Sequence, residues 1–499
     1  MSKPSRIENP DIVLIGGGIM SAHLGALLKR LDPALRIQVY EAAEQVASES
    51  SNAWNNAGTG HAGICELSYT PFRAADGSVN VEKAISIFEQ FELSRLFWAH
   101  AVSTGMISSP KDFVNPVPHI SFVYGDEQVA FLRDRHAGMA AHHFFSTMEY
   151  STDPKKIQEW APLLTETRGE GPIAATYMAG GTDVNFGSVS SKLLKWLSEQ
   201  EGCGVASNSR VVGIHQEASR WHLSVQDLKT HETHKNTAKF VFVGAGGGTL
   251  PLLQKAGVAD SKGMGGFPVG GQWLVCDNPE IVKKHQAKVY GQAQPEAPTM
   301  AVPHLDTRVI DGRKLLLFGP FASWTTKFLH NTGSFLDLPL SIRPDNIATL
   351  LKVGVSNLSL VKYLVQQGTQ SMAERINVLR RFYPAAQAKD WKLIDAGIRV
   401  QAIKKTDGEA GIVHYGTEIV ASTDRSLSGL MGASPGASVC VDIALEVIQT
   451  CLPHLLTDAA CKARLLTIFP TYDADTKRPE NADLYRQHAA EADRVLQLV

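Results

Sequence analysis

Asp11 to Gly16 (DIVLIG) is a short apolar run that ends in three glycines, the pattern of a buried strand entering a tight turn. A helical period follows to Leu31, with Leu24, Leu27, Leu28 and Leu31 on one face and Pro33 as the stop. Arg36 to Glu41 (RIQVYE) reads as a second strand, so strand, helix and strand fit within about 31 residues, the size of a parallel βαβ unit. Helix periodicity returns at Gly187 to Gln200 and is followed by a strand-like run at Gly204 to Ile214. Lys239 to Val243 is another strand, running into Gly244-Ala-Gly-Gly-Gly248 and a helical stretch. Leu427 to Ser438 reads as a glycine-rich turn that opens a helix at Ser438 to Thr450.

Between these pieces Ala84 to Met106 is helical, and Pro268 to Cys276, Thr299 to Ile310 and Lys314 to Gly319 have the spacing of a β-meander. The pattern predicts a mixed α/β chain. A nucleotide-binding domain is assembled from residues 1–72, 181–262 and 394–452, and a sheet domain from 73–180 and 263–393 is inserted into it. Residues 453–499 form a helical tail. No internal repeat or low-complexity stretch interrupts this plan.

Composition narrows the function classes. At 499 residues the chain needs more than one core. A net charge of −2 gives no nucleic-acid surface. The six cysteines are scattered without a CxxC pair, which argues against a disulfide framework or a zinc ribbon and fits a reducing compartment. Met1 to Pro10 lacks the pattern of a secretory signal. No run of eighteen or more apolar residues is present, so a membrane role has to be peripheral.

Gly16-Gly17-Gly18-Ile19-Met20-Ser21 matches G-x-G-x-x-(small) directly after a strand. Gly16 permits the turn, Gly18 lets backbone approach a pyrophosphate, and Ser21 stands where Gly or Ala is usual. The helix start offers N–H groups and positive potential to phosphates. Glu41, 25 residues after Gly16, is placed for a ribose diol. The motif alone does not separate FAD from NAD.

Beyond Glu41, the run Ser50 to Ala62 (SSNAWNNAGTGHA) and Cys65-Glu66-Leu67 resemble malate:quinone oxidoreductases. So do Pro118 to Phe122, Phe242 to Gly248, His285 to Tyr290, Val302 to Arg308, Arg399-Val400-Gln401 and Gly432 to Ser438. A broader likeness, through Asn56-Ala57-Gly58, His61, His304 with Arg308 and Arg399, extends to flavoproteins that oxidise 2-hydroxyglutarate. The resemblance implies a glutathione-reductase-like Rossmann domain holding FAD, with an inserted antiparallel substrate domain. It implies oxidation of (S)-malate to oxaloacetate and transfer of the electrons to a membrane quinone. That activity links the tricarboxylic acid cycle to the respiratory chain from the cytoplasmic, inner face of the cell membrane. It also places Asn56, Gly58, Thr59, Gly244, Gly246, Gly432, Ser434 and Gly436 around the cofactor.

The reaction assigns roles. A histidine suits removal of the hydroxyl proton; His304 is the first candidate and His61 the second. Arg399 and Arg308 are candidates for a bidentate grip on a substrate carboxylate. The Gly432 to Ser438 turn points helix dipoles at the flavin as charge builds there. His119 and Cys65 read as packed residues. Asn346 to Gln367, rich in Leu and Val with Lys352 and Lys362, is the candidate membrane-docking segment, against the alternative of two ordinary packed helices. No obligate protein partner and no metal are implied. Alternatives are an L-2-hydroxyglutarate dehydrogenase or oxidase, a flavin-binding protein with a silent site, and an NAD-dependent dehydrogenase.

Overall fold

The all-apolar run Ile12–Ile15 lies inside a six-stranded sheet with the order Thr417–Ala421, Leu427–Gly432, Phe240–Val243, Ile12–Ile15, Ile37–Tyr40, Cys203–Ala206. All pairs are parallel except the Thr417–Ala421 edge. Such strands are covered on both faces, which is why their sequence does not alternate. Ile12 and Leu14 pack under helices Ile19–Leu31, Phe186–Ser198 and Cys440–Cys451. Val13 and Ile15 face a three-stranded meander, Ser209–Glu217, Arg220–Asp227 and Thr233–Ala238, through Trp221, Leu223 and Val225. The protein is described by a computed structural model that covers residues 6–292, 302–356, 358–406, 409–413, 417–432 and 436–499.

The second layer is a nine-stranded sheet. Its order is Glu409–Val413, Lys392–Thr406, Gly265–Cys276, Arg313–Ser323, His304–Ile310, Lys288–Tyr290, His119–Tyr124, Ile173–Met178, Glu149–Ser151. Every pair is antiparallel except Lys288–Tyr290 with His119–Tyr124. One face is packed by Ile376, Leu379, Phe382 and Trp391. The other carries buried polar side chains.

Three expectations from the sequence are corrected. Lys392–Thr406, allotted in large part to the nucleotide domain, pairs with Gly265–Cys276 in the second sheet. Helix Glu82–Ser103, allotted to the inserted domain, shares the nucleotide-domain core through Phe91, Phe97 and Trp98, and Trp98 Nε1 donates to His23 Nε2 at 2.8 Å. Leu427–Gly432 is a strand rather than a turn, and the helix after it starts at Cys440. The beginning of the expected strand Thr299 to Ile310 lies outside the described residues, and its described part is His304–Ile310. The expected tail contains helices Ala459–Ile468 and Ala482–Leu496, the latter tied to Glu82–Ser103 by Arg95, which pairs with Glu92 and Asp493.

Candidate active site

The first glycine loop is built by close approach. Gly16 has φ +97°, and a Cβ there would stand 2.5 Å from the Gly244 carbonyl oxygen, so the two glycine turns abut. A Cβ on Gly244 would lie 2.7 Å from Ser21 Oγ, which explains the small residue at the third position of the motif. Gly18 caps the 13-residue helix Ile19–Leu31 without a side chain of its own, and Ser51 Oγ accepts from the Ile19 amide at 3.0 Å. Glu41 accepts from the amides of Gly17 (2.6 Å) and Ala43 (2.7 Å); burial raises its carboxyl pKa against these donors. Gly246 has φ +55°, while Gly247 is the position pressed against the Phe328 carbonyl. Gly432 has φ +108° and ends its strand; Gly436 follows in a turn, and Ser434 lies outside the described residues. Strand, glycine turn, helix start and acidic residue together match the chemistry of a dinucleotide's phosphates and ribose.

The loop from Asn52 to His61 is fastened from within and below. Asn56 Oδ1 accepts from the Gly58 amide at 2.9 Å, and its Nδ2 donates to Ser50 O (3.0 Å) and Asn52 O (2.8 Å). Gly58 has φ +58°, and any Cβ would collide with the Arg308 guanidinium. Arg308 donates from Nη1 to Ala53 O at 3.0 Å and to Asn56 O, while Nε stands 2.7 Å from Asp183 Oδ1. Lys288 Nζ donates to Ala57 O at 2.9 Å and lies 2.9 Å from Asp183 Oδ1. The Arg308, Lys288 and Asp183 side chains are all completely buried. Arg308 is thus enclosed by protein and held to the loop carbonyls and Asp183, contacts that suit an anchor for the loop, while its Nη2 has no hydrogen-bond partner among the described residues. Thr59 Oγ1 is 2.7 Å from the Tyr290 hydroxyl, and Ser438 Oγ donates to Thr59 O at 3.2 Å.

His304 is positioned by its strand and its neighbour. On His304–Ile310, alternate residues His304, Asp306 and Arg308 share one face. In register across from them stand Tyr290 opposite His304 and Lys288 opposite Asp306. The His304 and Tyr290 rings stack with centroids 4.3 Å apart and 4° between planes, and Trp273 lies 5.4 Å away. His304 Nδ1 is 2.8 Å from Asp306 Oδ2, which also has Lys288 Nζ at 3.6 Å. Burial pushes the Asp306 carboxyl upward, but His304, Lys288 and Arg308 outweigh it and hold it below the usual carboxylate range.

His61 meets the Tyr290 ring edge-on at 5.9 Å and Tyr69 at 6.2 Å. Burial first, then His119, His304 and Lys288, lower its pKa to about 3, so its imidazole is neutral at physiological pH. His119 is fully buried, its Nε2 at 3.1 Å from Thr182 O and 3.2 Å from the Thr182 amide, and it holds the strand. The Cys65 thiol is buried and its pKa raised by burial and by Glu66. Arg399, opposite Val269 on Lys392–Thr406, is crowded by protein yet keeps an accessible side chain. Burial lowers its pKa, and Tyr290, Glu66 and Tyr69 act on it in the opposite direction, so it faces the same cluster.

The structure thus gathers His304, His61 and Arg399 around Tyr290, with Arg308 two positions beyond Asp306 on the same strand face. The sequence reading missed Asp306, Lys288, Asp183 and Tyr290. The signal for Asp306 was present as the H-x-D-x-R alternation at 304–308.

Comparison with known proteins fits this arrangement. Residues 8–498 match the family model of malate:quinone oxidoreductase (Mqo). A probable malate:quinone oxidoreductase 2 of Pseudomonas aeruginosa is 51% identical over 98% of this chain and 96% of its own. A probable malate:quinone oxidoreductase 1 of Pseudomonas putida is 52% identical over 98% and 97%. Among solved structures, the dithionite-reduced L-alpha-glycerophosphate oxidase of Mycoplasma pneumoniae with FAD bound aligns at TM-score 0.56 and 15% identity, covering 90% of this chain and 95% of that one. The glycine oxidase of Geobacillus kaustophilus aligns at 0.56 and 15%, covering 89% and 95%. These likenesses establish the mixed α/β fold with its sheet-rich second domain, and on the strength of the sequence match the chain belongs to the malate:quinone oxidoreductase family.

Proposed function

We propose that the chain oxidises (S)-malate to oxaloacetate with FAD and delivers the electrons to a membrane quinone, joining the tricarboxylic acid cycle to the respiratory chain at the inner face of the cell membrane. The observation that carries this reading is the His304–Asp306 pair stacked on Tyr290, with the accessible Arg399 facing the same cluster. FAD, when bound, supplies the acceptor for the C2 hydride, and the glycine loop, Glu41 and the Asn52–His61 loop are the residues that would hold it. Arg399 fixes a carboxylate in a planar, two-pronged grip. With Nδ1 turned to Asp306, His304 Nε2 is the ring atom left for the substrate hydroxyl. It takes that proton as the C–H bond gives up its electron pair, with the Asp306 carboxylate beside Nδ1 holding the ring's orientation. Neutral His61 contributes polarity without a competing positive charge. The Tyr290–Thr59 contact and the anchors Arg308 and Lys288 keep the loop rigid, which holds reacting groups in register. The FAD-loaded protein, mixed anaerobically with malate, should lose its visible flavin absorbance and regain it with a short-chain quinone. Bleaching by 2-hydroxyglutarate and not by malate would overturn the substrate assignment.

A further inference from the structure

Large apolar side chains that face solvent are concentrated in one segment. Helix Ile347–Ser356 exposes Ile347, Leu351 and Val355, at 46%, 66% and 70%. Their spacing of four residues puts them in one stripe. The opposite side of that helix, with Thr349, Leu350 and Val353, packs down on the sheet around Gly265. Just before it, Leu336 and Leu340 repeat the pattern at 60% and 75% exposure around helix Asp337–Ser341. Two short helices thus turn apolar stripes outward, although their inner faces already satisfy the fold. Exposed apolar surface of this extent marks a contact surface.

The charge in this segment indicates what kind. Residues 324–368 carry Lys327, Arg343, Lys352 and Lys362 against Asp337 and Asp345, a local +2 in a chain of −2; the excess comes from Lys327 and Lys362, which flank the apolar stripes on either side. Both aspartates are turned to backbone: Asp337 Oδ2 accepts from the Phe328 and Ser334 amides, and Asp345 Oδ2 from the Gly263 amide. Lys352 and Lys362 are exposed. Apolar stripes flanked by unopposed basic residues complement an anionic lipid surface. A symmetric contact between two copies would set these like charges against each other. The segment is also joined to the active cleft: the Phe328 carbonyl lies against Gly247, and strand Arg313–Ser323, which leads into it, carries Gly319 opposite His304.

We propose that the face formed by residues 335–355 seats the enzyme on an anionic bilayer, its apolar stripes entering the headgroup boundary. The proposal rests on the reading of a lipid-soluble electron acceptor. Compared with the expected docking segment Asn346 to Gln367, it extends toward the N-terminus and leaves out Leu364, which is buried.

The test is sedimentation of the full-length, FAD-loaded enzyme with phosphatidylglycerol–phosphatidylcholine vesicles and with phosphatidylcholine alone, beside the double variant Leu340→Asp/Leu351→Asp. Wild type should pellet with the anionic vesicles, less so with neutral ones or at high salt. The double variant should lose at least tenfold in vesicle affinity. It should reduce a water-soluble dye with malate at the wild-type rate, which also reports an intact fold, while its rate with a quinone dissolved in the vesicles falls. Equal vesicle binding by the variant, wild type that stays in the supernatant, or an apolar face consumed in a dimer that the variant dissolves would each overturn the proposal. Failure of malate to reduce the dye in wild type would instead strike the proposed reaction and leave the vesicle result standing.

Discussion

At the scale of single residues, His304 and Arg399 carry different parts of the work and should fail differently. His304→Gln keeps the size and one hydrogen-bonding edge but cannot take up a proton. It should retain FAD and slow anaerobic flavin reduction by malate roughly 10²–10⁴-fold. A rate near wild type in a stopped-flow trace would remove His304 from proton transfer. Arg399→Lys keeps the charge but loses the fork, so KM for malate should rise more than kcat falls; a KM unchanged in steady-state assays would count against the clamp. Both residues were named from family resemblance at the level of sequence, because a histidine in a strand has no spacing that distinguishes a base from a packed ring. The neutral state of His61 was not legible at all. It arises from burial and three basic neighbours brought from 119, 288 and 304, and no local pattern holds that information.

At the scale of elements, the strand His304–Ile310 turns the usual rule of alternation round. Polar residues at every second position normally mark the solvent face of an antiparallel strand. Here His304, Asp306 and Arg308 form the inward face and are 5% exposed or less. The alternation itself was legible; its direction was not, since only the loop laid over that face gives the charges their partners. Arg308 tests this. Arg308→Met should leave Asp183 with Lys288 as its remaining basic partner and free the carbonyls of Ala53 and Asn56. The expected loss is about 3 kcal/mol, the lower end for breaking a buried pair, seen as a lowered melting temperature and weaker FAD retention. A variant of unaltered melting temperature but raised KM would instead make Arg308 a substrate ligand. The strands of the nucleotide sheet were legible because strand, glycine turn and helix follow one another within a short stretch. The strand Lys392–Thr406 was not read from the sequence, and residues 394–406 were allotted to the nucleotide domain, because its partner lies more than a hundred residues earlier and pairing over that distance leaves no periodic trace.

At the scale of the whole molecule, the last helices close over the nucleotide domain and leave an acidic cavity of about 370 Å³ lined by Glu89, Glu92, Asp442, Glu446 and Tyr485. Burial, then repulsion from Glu446 and Glu89, raises the Asp442 carboxyl to about 6, with Gln90 and Lys477 acting the other way. A carboxyl that holds its proton more tightly when folded adds stability below its ordinary value near 3.8, and that contribution is lost as pH rises through about 6. Asp442→Asn should therefore flatten the pH dependence between about 4 and 6 and stabilise the protein at pH 7.5. The gain should be about 1 kcal/mol after allowance for partial solvent screening. A melting curve at pH 7.5 no higher than wild type would refute it. The helical tail was foreseen, but its seat on Glu82–Ser103 was not, because a helix read alone does not disclose which of its neighbours in space will cover it.

The interleaving of the two sheets has a consequence during synthesis. Strand Gly265–Cys276 leaves the ribosome long before Lys392–Thr406, which pairs along nearly its whole length. At roughly 5–20 residues per second, translation leaves that edge bare for on the order of ten seconds. The Leu427–Gly432 strand, which extends the other sheet beside Phe240–Val243, arrives later still. A nascent chain is therefore sticky along two unfinished borders until Leu427–Gly432 has emerged, and holding chaperones have more to protect here than in a protein whose neighbouring strands are consecutive.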